Sequence, residues 1–255
     1  MRFHEQVAVI TGGGSGIGKA TALRLAKEGA NVILVGRTLE KLESVVDEIN
    51  NQSHHIQATC FAADVTKEEE VTALLDFIED HFMDLHVVIN NAGGSVQSKI
   101  MDTAVEAWDI VQEVNLKSVF LVSKILGKFM MEHANRGGNR AFVNIASLSG
   151  HKAAAHIPHY SSAKAAVLNF TKALAFEMAP YGIRANSVSP GFVETPLTEW
   201  ALTNERFVKS IERNTALKRV GTSEEIANVI AFLASSEASY MTGTDVLVDG
   251  GWMIT

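Results

Sequence analysis

The chain has 255 residues, 47% hydrophobic and 20% charged, with 19 Gly, 4 Pro and a net charge of −7. That length and balance suit one ordered core, and the negative charge argues against a general nucleic-acid or anionic-membrane surface. Cys60 is the only cysteine, which excludes an intrachain disulfide and a cysteine metal cluster and reads as a small buried hydrophobe in a strand.

Glu5 precedes a short apolar run with no cleavage-like site, and no apolar stretch reaches the length of a membrane span. The expectation is a soluble, cytoplasmic protein. Short apolar runs then alternate with longer amphipathic stretches. Residues 7–10 read as a buried strand, 16–28 as a helix closed by Gly29, 32–35 as the second strand and 39–50 as the next helix. A third strand spans 56–61, followed by a helix with Thr66 as N-cap and acids in its first turn. Residues 87–89 form a fourth strand. Two long helices, near 109–133 and 158–179, flank a strand at 141–145, and the basic run 136–140 reads as a solvated turn. Strand 184–188, an irregular segment from Pro190 to about Val220, helix 223–235 and strand 245–248 complete the chain. Strands that are apolar throughout and separated by helices predict a doubly wound α/β sheet of about seven parallel strands with helices on both faces. Without repeats or linkers, residues 1–255 read as a single domain.

Two constellations carry chemistry. The first strand-to-helix turn, Thr11-Gly12-Gly13-Gly14-Ser15-Gly16-Ile17-Gly18, departs from the strict G-x-G-x-x-G spacing and fits Gly12, Gly16 and Gly18 instead. Glycines let the backbone approach a pyrophosphate, and the helix start offers N–H donors and partial positive charge. Such turns also serve as plain tight connections, but the strand–turn–helix context predicts dinucleotide binding. The second constellation is Tyr160 and Lys164, four residues apart. On a helix they share one face, where an ammonium stabilises a phenolate and brings it toward acid–base use. A pair of this kind also arises by chance on surface helices.

Together with Asp64, Asn90-Asn91-Ala92-Gly93, Asn115, Ser147, Pro190-Gly191 and Val248-Asp249-Gly250-Gly251, these residues resemble the short-chain dehydrogenase/reductase family over essentially the whole chain. The resemblance implies a Rossmann-type fold and a catalytic set of Asn115, Ser147, Tyr160 and Lys164. Tyr160 would protonate a carbonyl oxygen as hydride arrives, or act as base in the reverse direction. Lys164 would hold the nicotinamide ribose and depress the Tyr160 pKa. Ser147, thirteen residues before Tyr160, would polarise the substrate oxygen, with Ser149 as a rival. Asn115 would organise a water-linked proton path beneath Lys164, or merely kink or cap its helix. Gly12, Ser15, Gly16, Ile17 and Gly18 would hold the pyrophosphate. Asp64 would accept from the adenine amino group, with Val65 on the ring. Asn90, Asn91, Ala92 and Gly93 would line the adenosine ribose and nicotinamide side, Asn90 alternatively being a structural cap. Pro190, Gly191, Val193 and Thr195 match the nicotinamide-binding stretch.

At the end of the second strand, an NAD site usually offers a carboxylate to the ribose. Here stand Gly36, Arg37 and Thr38, and an arginine pairs with the additional phosphate of NADP. The expectation is NADP(H), although Ser15 stands where many NADP-using relatives carry a second basic residue. Glu40 lies too far along the next helix for the carboxylate role. A mobile lid is expected over about 190–220, apolar through Phe192, Leu197, Trp200 and Phe207. His151, His156 and His159 read as surface-loop histidines at the pocket mouth without a metal partner. Overall similarity points to 3-oxoacyl thioester reductases, while sugar, steroid and alcohol dehydrogenases share every motif quoted. An NAD-dependent alcohol or sugar dehydrogenase is the alternative enzyme. A non-catalytic dinucleotide sensor is the alternative outside catalysis, and it would be expected to lose the tyrosine or lysine. Relatives commonly form tetramers through the two long helices, and the apolar C-terminus would serve a second interface or cover the core. A homotetramer is expected, with a dimer as the alternative.

Overall fold

The computed structural model describes residues 1–52 and 57–255, and of Trp200 the backbone alone. Ile56, read as the start of a strand, and the Trp200 side chain, read as part of the lid, lie outside what is described. The strands are β1 (Val7–Thr11), β2 (Asn31–Gly36), β3 (Ala58–Ala62), β4 (Val87–Asn90), β5 (Arg140–Ile145), β6 (Ile183–Pro190) and β7 (Asp245–Val248). They form one sheet in the order β3-β2-β1-β4-β5-β6-β7, and every pairing is parallel.

Strand alternation sorts side chains onto two faces. Ala8, Ile10, Val32 and Leu34 face helices α1 (Gly16–Lys27), α2 (Leu39–Asn50) and α9 (Ser223–Ala234). Val7, Val9, Ile33 and Val35 face α3 (Glu68–His81), α5 (Ser118–Glu132) and α6 (Pro158–Met178). Burial of each such aliphatic side chain contributes roughly 1.5–3 kcal/mol, which is why Val7–Ile10 of β1 and Val32–Val35 of β2 are apolar on both faces. Between β1 and β4 the strand order reverses direction, and the crevice at the carboxyl ends of these strands is where open α/β sheets bind ligands.

Several local expectations change. The first long helix is α4 (Val105–Gln112) running through a π-helical turn, Glu113–Lys117, into α5. Helix α3 begins after Lys67, whose side chain makes no capping bond, and the Thr66 hydroxyl donates to Asp64 Oδ1 at 2.8 Å. The segment after β6 is not irregular: it holds α7 (Glu199–Leu202) and α8 (Glu205–Asn214), the latter capped by Asn204 Oδ1. The basic run before β5 is no solvated turn at its far end. Arg140 is buried, paired with both oxygens of Asp84 at 2.8 and 3.1 Å. Cys60 lies half-buried in the edge strand β3. Among the described residues no helix is long and apolar enough to cross a membrane.

Candidate active site

The turn from β1 into α1 is tied down on two sides. Gly12 and Gly13 donate N–H groups to the Val35 carbonyl at 2.7 and 3.3 Å, fixing the turn to β2. The Asn91 side chain donates to the carbonyls of Thr11 and Gly12 at 3.0 and 3.2 Å, and Thr11 Oγ1 accepts from the N–H groups of Asn91 and Ala92, each at 3.0 Å. Thr11 and Asn91 thus stitch β1 to β4 across the crevice. Gly12 takes φ +65 and Gly16 φ +51, and a methyl on Gly18 would land on the Gly12 carbonyl. Ser15 is the extended N-cap of α1 and its side chain makes no capping bond, which leaves the first N–H groups of the helix open to an anion. Ile17, half-buried, anchors that helix start against the core. This donor set fits a dinucleotide pyrophosphate.

Beside it, β2 ends at Gly36, and Arg37 and Thr38 follow on the surface. Among the described residues Arg37 forms no hydrogen bond or ion pair, yet its charge reaches Asp64. Burial pushes the Asp64 carboxyl up, but the hydrogen bonds from Thr66 and the charges of Arg37 and Lys67 outweigh it and hold the group below the ordinary carboxylate range. Asp64 Oδ1 accepts from the Thr66 N–H and hydroxyl at 3.0 and 2.8 Å, so Oδ2 is left for a ligand. Val65 is buried beneath.

The candidate catalytic groups come together at the end of β5. Lys164 is buried and donates from Nζ to the Ile145 carbonyl at 2.7 Å, with the Tyr160 ring centroid 5.5 Å from Nζ. Ser147 hydrogen-bonds the Tyr160 phenol. Burial pushes the Lys164 ammonium down to about 8. It pushes the Tyr160 phenol up, and the Ser147 bond opposes that rise. The lysine is expected to lower the phenol; in this structure burial raises it, and Lys164 Nζ points to the Ile145 carbonyl. Asn115 sits in the π turn, fully buried; its Nδ2 donates to Gly94 O at 2.7 Å and Val111 O at 2.9 Å, and Oδ1 accepts from Gly94 N at 3.2 Å. The extra residue of a π turn displaces helix hydrogen bonds, and Asn115 repairs one while clamping the loop after β4. A methyl on Gly93 would sit 2.8 Å from Asn115 Oδ1 and 3.4 Å from Lys164 Nζ, so only glycine lets these groups share the space.

At the end of β6, Pro190 is buried, and a Cβ on Gly191 would lie 2.7 Å from the Asp249 backbone after β7. Val193 is buried and bridges to Gly221. Thr195 covers the glycine turn: a Cβ on Gly16 would be 3.3 Å from the Thr195 side chain. The cofactor-side and catalytic candidates thus gather at the carboxyl-end side of the parallel sheet, with one exception. Asn90 is buried, donating to Asn144 Oδ1 at 2.8 Å and Ser123 Oγ at 3.1 Å, and so belongs to the core.

Two histidines also differ from expectation. His159 is wholly buried, its Nδ1 accepting from the Tyr160 N–H at 3.1 Å. His151 is clasped through Nε2 to Asp245 Oδ2 at 2.8 Å and Ser189 Oγ at 3.1 Å. His156 is exposed in the mouth loop with φ +65, its carbonyl accepting from Ser98 N at 2.8 Å. Sequence reasoning assigned no role to Thr11, the Ile145 carbonyl or Gly150. The backbone of Lys164 lies 3.0 Å from where a Gly150 Cβ would be. Only Thr11, beside the glycine turn, left a signal that reading could have used.

Comparison with known proteins places this crevice in context. The family described as Enoyl-(Acyl carrier protein) reductase matches residues 12–253. The 3-oxoacyl-[acyl-carrier-protein] reductase of Thermotoga maritima is 36% identical, covering 100% of both chains. The cyclohexanol dehydrogenase of an Acinetobacter species is 38% identical over 98% of this chain and 96% of its own. A crystal structure of a short-chain type dehydrogenase/reductase from Mycobacterium marinum superposes with a TM-score of 0.93 at 34% identity, covering 99% of this chain and 97% of that one. With the parallel sheet, the glycine turn and the Tyr160–Lys164 site, these matches establish that the chain belongs to the short-chain dehydrogenase/reductase family, whose members use nicotinamide dinucleotides, and is an oxidoreductase of that type.

Proposed function

We propose that this protein is an NADP(H)-dependent oxidoreductase that interconverts a carbonyl and a secondary alcohol. The observation that carries the reading is the convergence of Ser147, Tyr160 and Lys164 at the end of β5, with Asn115 clamped beside Gly93. The coenzyme, when bound, supplies hydride to the carbonyl carbon or accepts it from the alcohol. In reduction the carbonyl π bond opens onto oxygen, and Tyr160 Oη gives its proton to that oxygen; in oxidation the phenolate takes it back. Ser147 donates to the same oxygen and stabilises the charge that develops there. Lys164 holds positive charge beneath the phenol and turns to the nicotinamide ribose. Asn115 keeps the Gly93–Gly94 backbone in place.

Coenzyme choice rests on Arg37, exposed and without a hydrogen bond or ion pair among the described residues, next to Gly36, which offers no carboxylate. An arginine so placed pairs with a ribose phosphate, and a carboxylate at Gly36 would repel it. Gly12, Ser15, Gly16, Ile17 and Gly18 hold the pyrophosphate. Thr38, Asp64 and Val65 hold the adenosine, Asn91, Ala92 and Gly93 the central ribose side, and Pro190, Gly191, Val193 and Thr195 the nicotinamide end. The substrate is an apolar carbonyl compound, a 3-oxoacyl thioester or a cyclic ketone, since Val96, Ile100, Met101 and Leu197 expose apolar side chains around the mouth. The two relatives named above act on those two classes by their names.

Residues 1–255 act as one domain with the 190–220 segment as lid. We place the protein in the cytoplasm as a homotetramer, built through the exposed Trp108, Ile110, Phe120 and Phe176 of α4, α5 and α6. The test is oxidation of NADPH and NADH, side by side, across a panel of 3-oxoacyl thioesters, cyclic ketones, diketones, keto sugars and steroids. NADPH-dependent turnover of an apolar ketone or thioester supports the proposal; equal or faster turnover with NADH overturns the coenzyme assignment.

A further inference from the structure

Ser147 is followed by a tight turn, Leu148–Gly150, in which its side chain is the cap. Two donors converge on its oxygen: Ser149 N at 3.2 Å and Ser149 Oγ at 3.1 Å. A serine hydroxyl has two acceptor sites and one proton. With both acceptor sites engaged by Ser149, the proton of Ser147 has one use left, to be donated into the crevice. The turn is held on both sides. A Cβ on Gly150 would lie 3.0 Å from the backbone of Lys164, so the turn is seated directly on α6. His151, the next residue, fastens its far end to Asp245 and Ser189 across β6 and β7.

We propose that Ser149 is a positioning residue that fixes the direction of the Ser147 hydroxyl, so that Ser147 donates to the substrate oxygen and never accepts from Tyr160. The inference rests on the reading of Tyr160 as acid and base. Its consequence follows from proton counting. If Ser147 were free to accept, the Tyr160 proton would be drawn to it in the resting site, and the neutral phenol would be favoured over the phenolate. A Ser147 that only donates favours the phenolate, which is the sense in which the Ser147 bond acts on Tyr160. Ser149 thereby sets the pH at which the alcohol is oxidised, although it touches no reacting atom.

The experiment compares wild type, Ser149→Ala, Ser149→Thr and Tyr160→Phe in the oxidation direction between pH 6 and 10, with thermal unfolding as a fold check. Ser149→Ala keeps the backbone N–H bond and loses the hydroxyl one. It is expected to lower kcat by about three- to tenfold, leave KM for the coenzyme unchanged, and move the rising limb of the pH–rate profile up by about half to one pH unit. Ser149→Thr keeps a hydroxyl and is expected to restore both. If Ser149→Ala leaves the profile in place while Tyr160→Phe is inactive, the positioning role is wrong and the catalytic assignment stands. A loss in Ser149→Ala that Ser149→Thr does not recover, with no movement of the profile, shows a structural turn serine and also overturns the proposal. Activity retained in Tyr160→Phe would remove the catalytic assignment on which the inference depends, and the inference with it.

Discussion

Lys164 is held in the site at a cost to stability, and Lys164→Met measures that cost. The side chain is buried and its ammonium pushed from 10.5 down to about 8, a difference worth about 3 kcal/mol against the folded state at neutral pH. Methionine has similar length and removes that penalty, but it leaves the Ile145 carbonyl without the 2.7 Å bond from Nζ. Losing that partner costs about 1–3 kcal/mol, so the variant should be more stable at pH 7 by about 1 kcal/mol. The sign of the pH dependence is fixed by linkage. Between the folded value near 8 and the ordinary lysine value the unfolded chain binds the additional proton, so wild-type stability rises with pH there and the variant's does not. Chemical denaturation of both proteins from pH 7 to 9.5 should therefore show the difference shrinking and then reversing, by about 2 kcal/mol across the range. Turnover should vanish in the variant at every pH. A variant less stable at pH 7, with a difference that does not change with pH, would refute the reasoning.

Other substitutions probe the remaining parts. A Cβ at Gly36 meets only ordinary contact, 3.5 Å from Leu42 Cδ2, so Gly36→Asp should fold normally and shift the NADPH/NADH ratio of kcat/KM toward NADH by about tenfold or more. Arg37→Ala should weaken NADPH alone by about tenfold, an exposed charge-assisted pair lying at the low end of its range. Gly93→Ala puts a methyl 2.8 Å from Asn115 Oδ1 and should cut kcat about tenfold, read by steady-state kinetics, with the fold intact by circular dichroism. Far from the site, Arg140→Met leaves the Asp84 carboxylate without its partner and should cost about 3–5 kcal/mol in urea unfolding. Asp84 is held below the ordinary carboxylate range: burial raises it, and the bonds from Arg140 and Leu85 N outweigh burial. Its stabilisation is thus present at neutral pH and lost as pH falls through its folded value, and the variant should lack that acid-side loss.

The parallel sheet and the crevice were legible because they follow from local patterns. All-apolar strands alternate with amphipathic helices, and the glycine turn and the Tyr160–Lys164 spacing lie at strand and helix ends where the fold must place them. What was not legible depends on tertiary direction. Asn90 and Asn91 are neighbours with one chemistry, but strand alternation sends the first into the core and the second onto the glycine turn. His159 looked like a mouth histidine and is buried, because the start of α6 packs inward against α4. The π turn at Asn115 has no periodicity signal, since a single inserted residue leaves the surrounding helical pattern intact. Helix α8 was overlooked although Asn204 is a good N-cap; its polar composition concealed a single buried residue, Ile211. The upward push on Tyr160 comes from burial, which depends on what the tertiary structure packs around the ring and leaves no trace in the Tyr160–Lys164 spacing.

The most direct test of the catalytic proposal is Tyr160→Phe, which removes one oxygen from the crevice and leaves the ring. With NADPH and the best carbonyl substrate of the panel, kcat should fall by about a hundredfold or more while coenzyme affinity, read by fluorescence titration, stays unchanged. Turnover equal to wild type would contradict the assignment of Tyr160 as the proton donor.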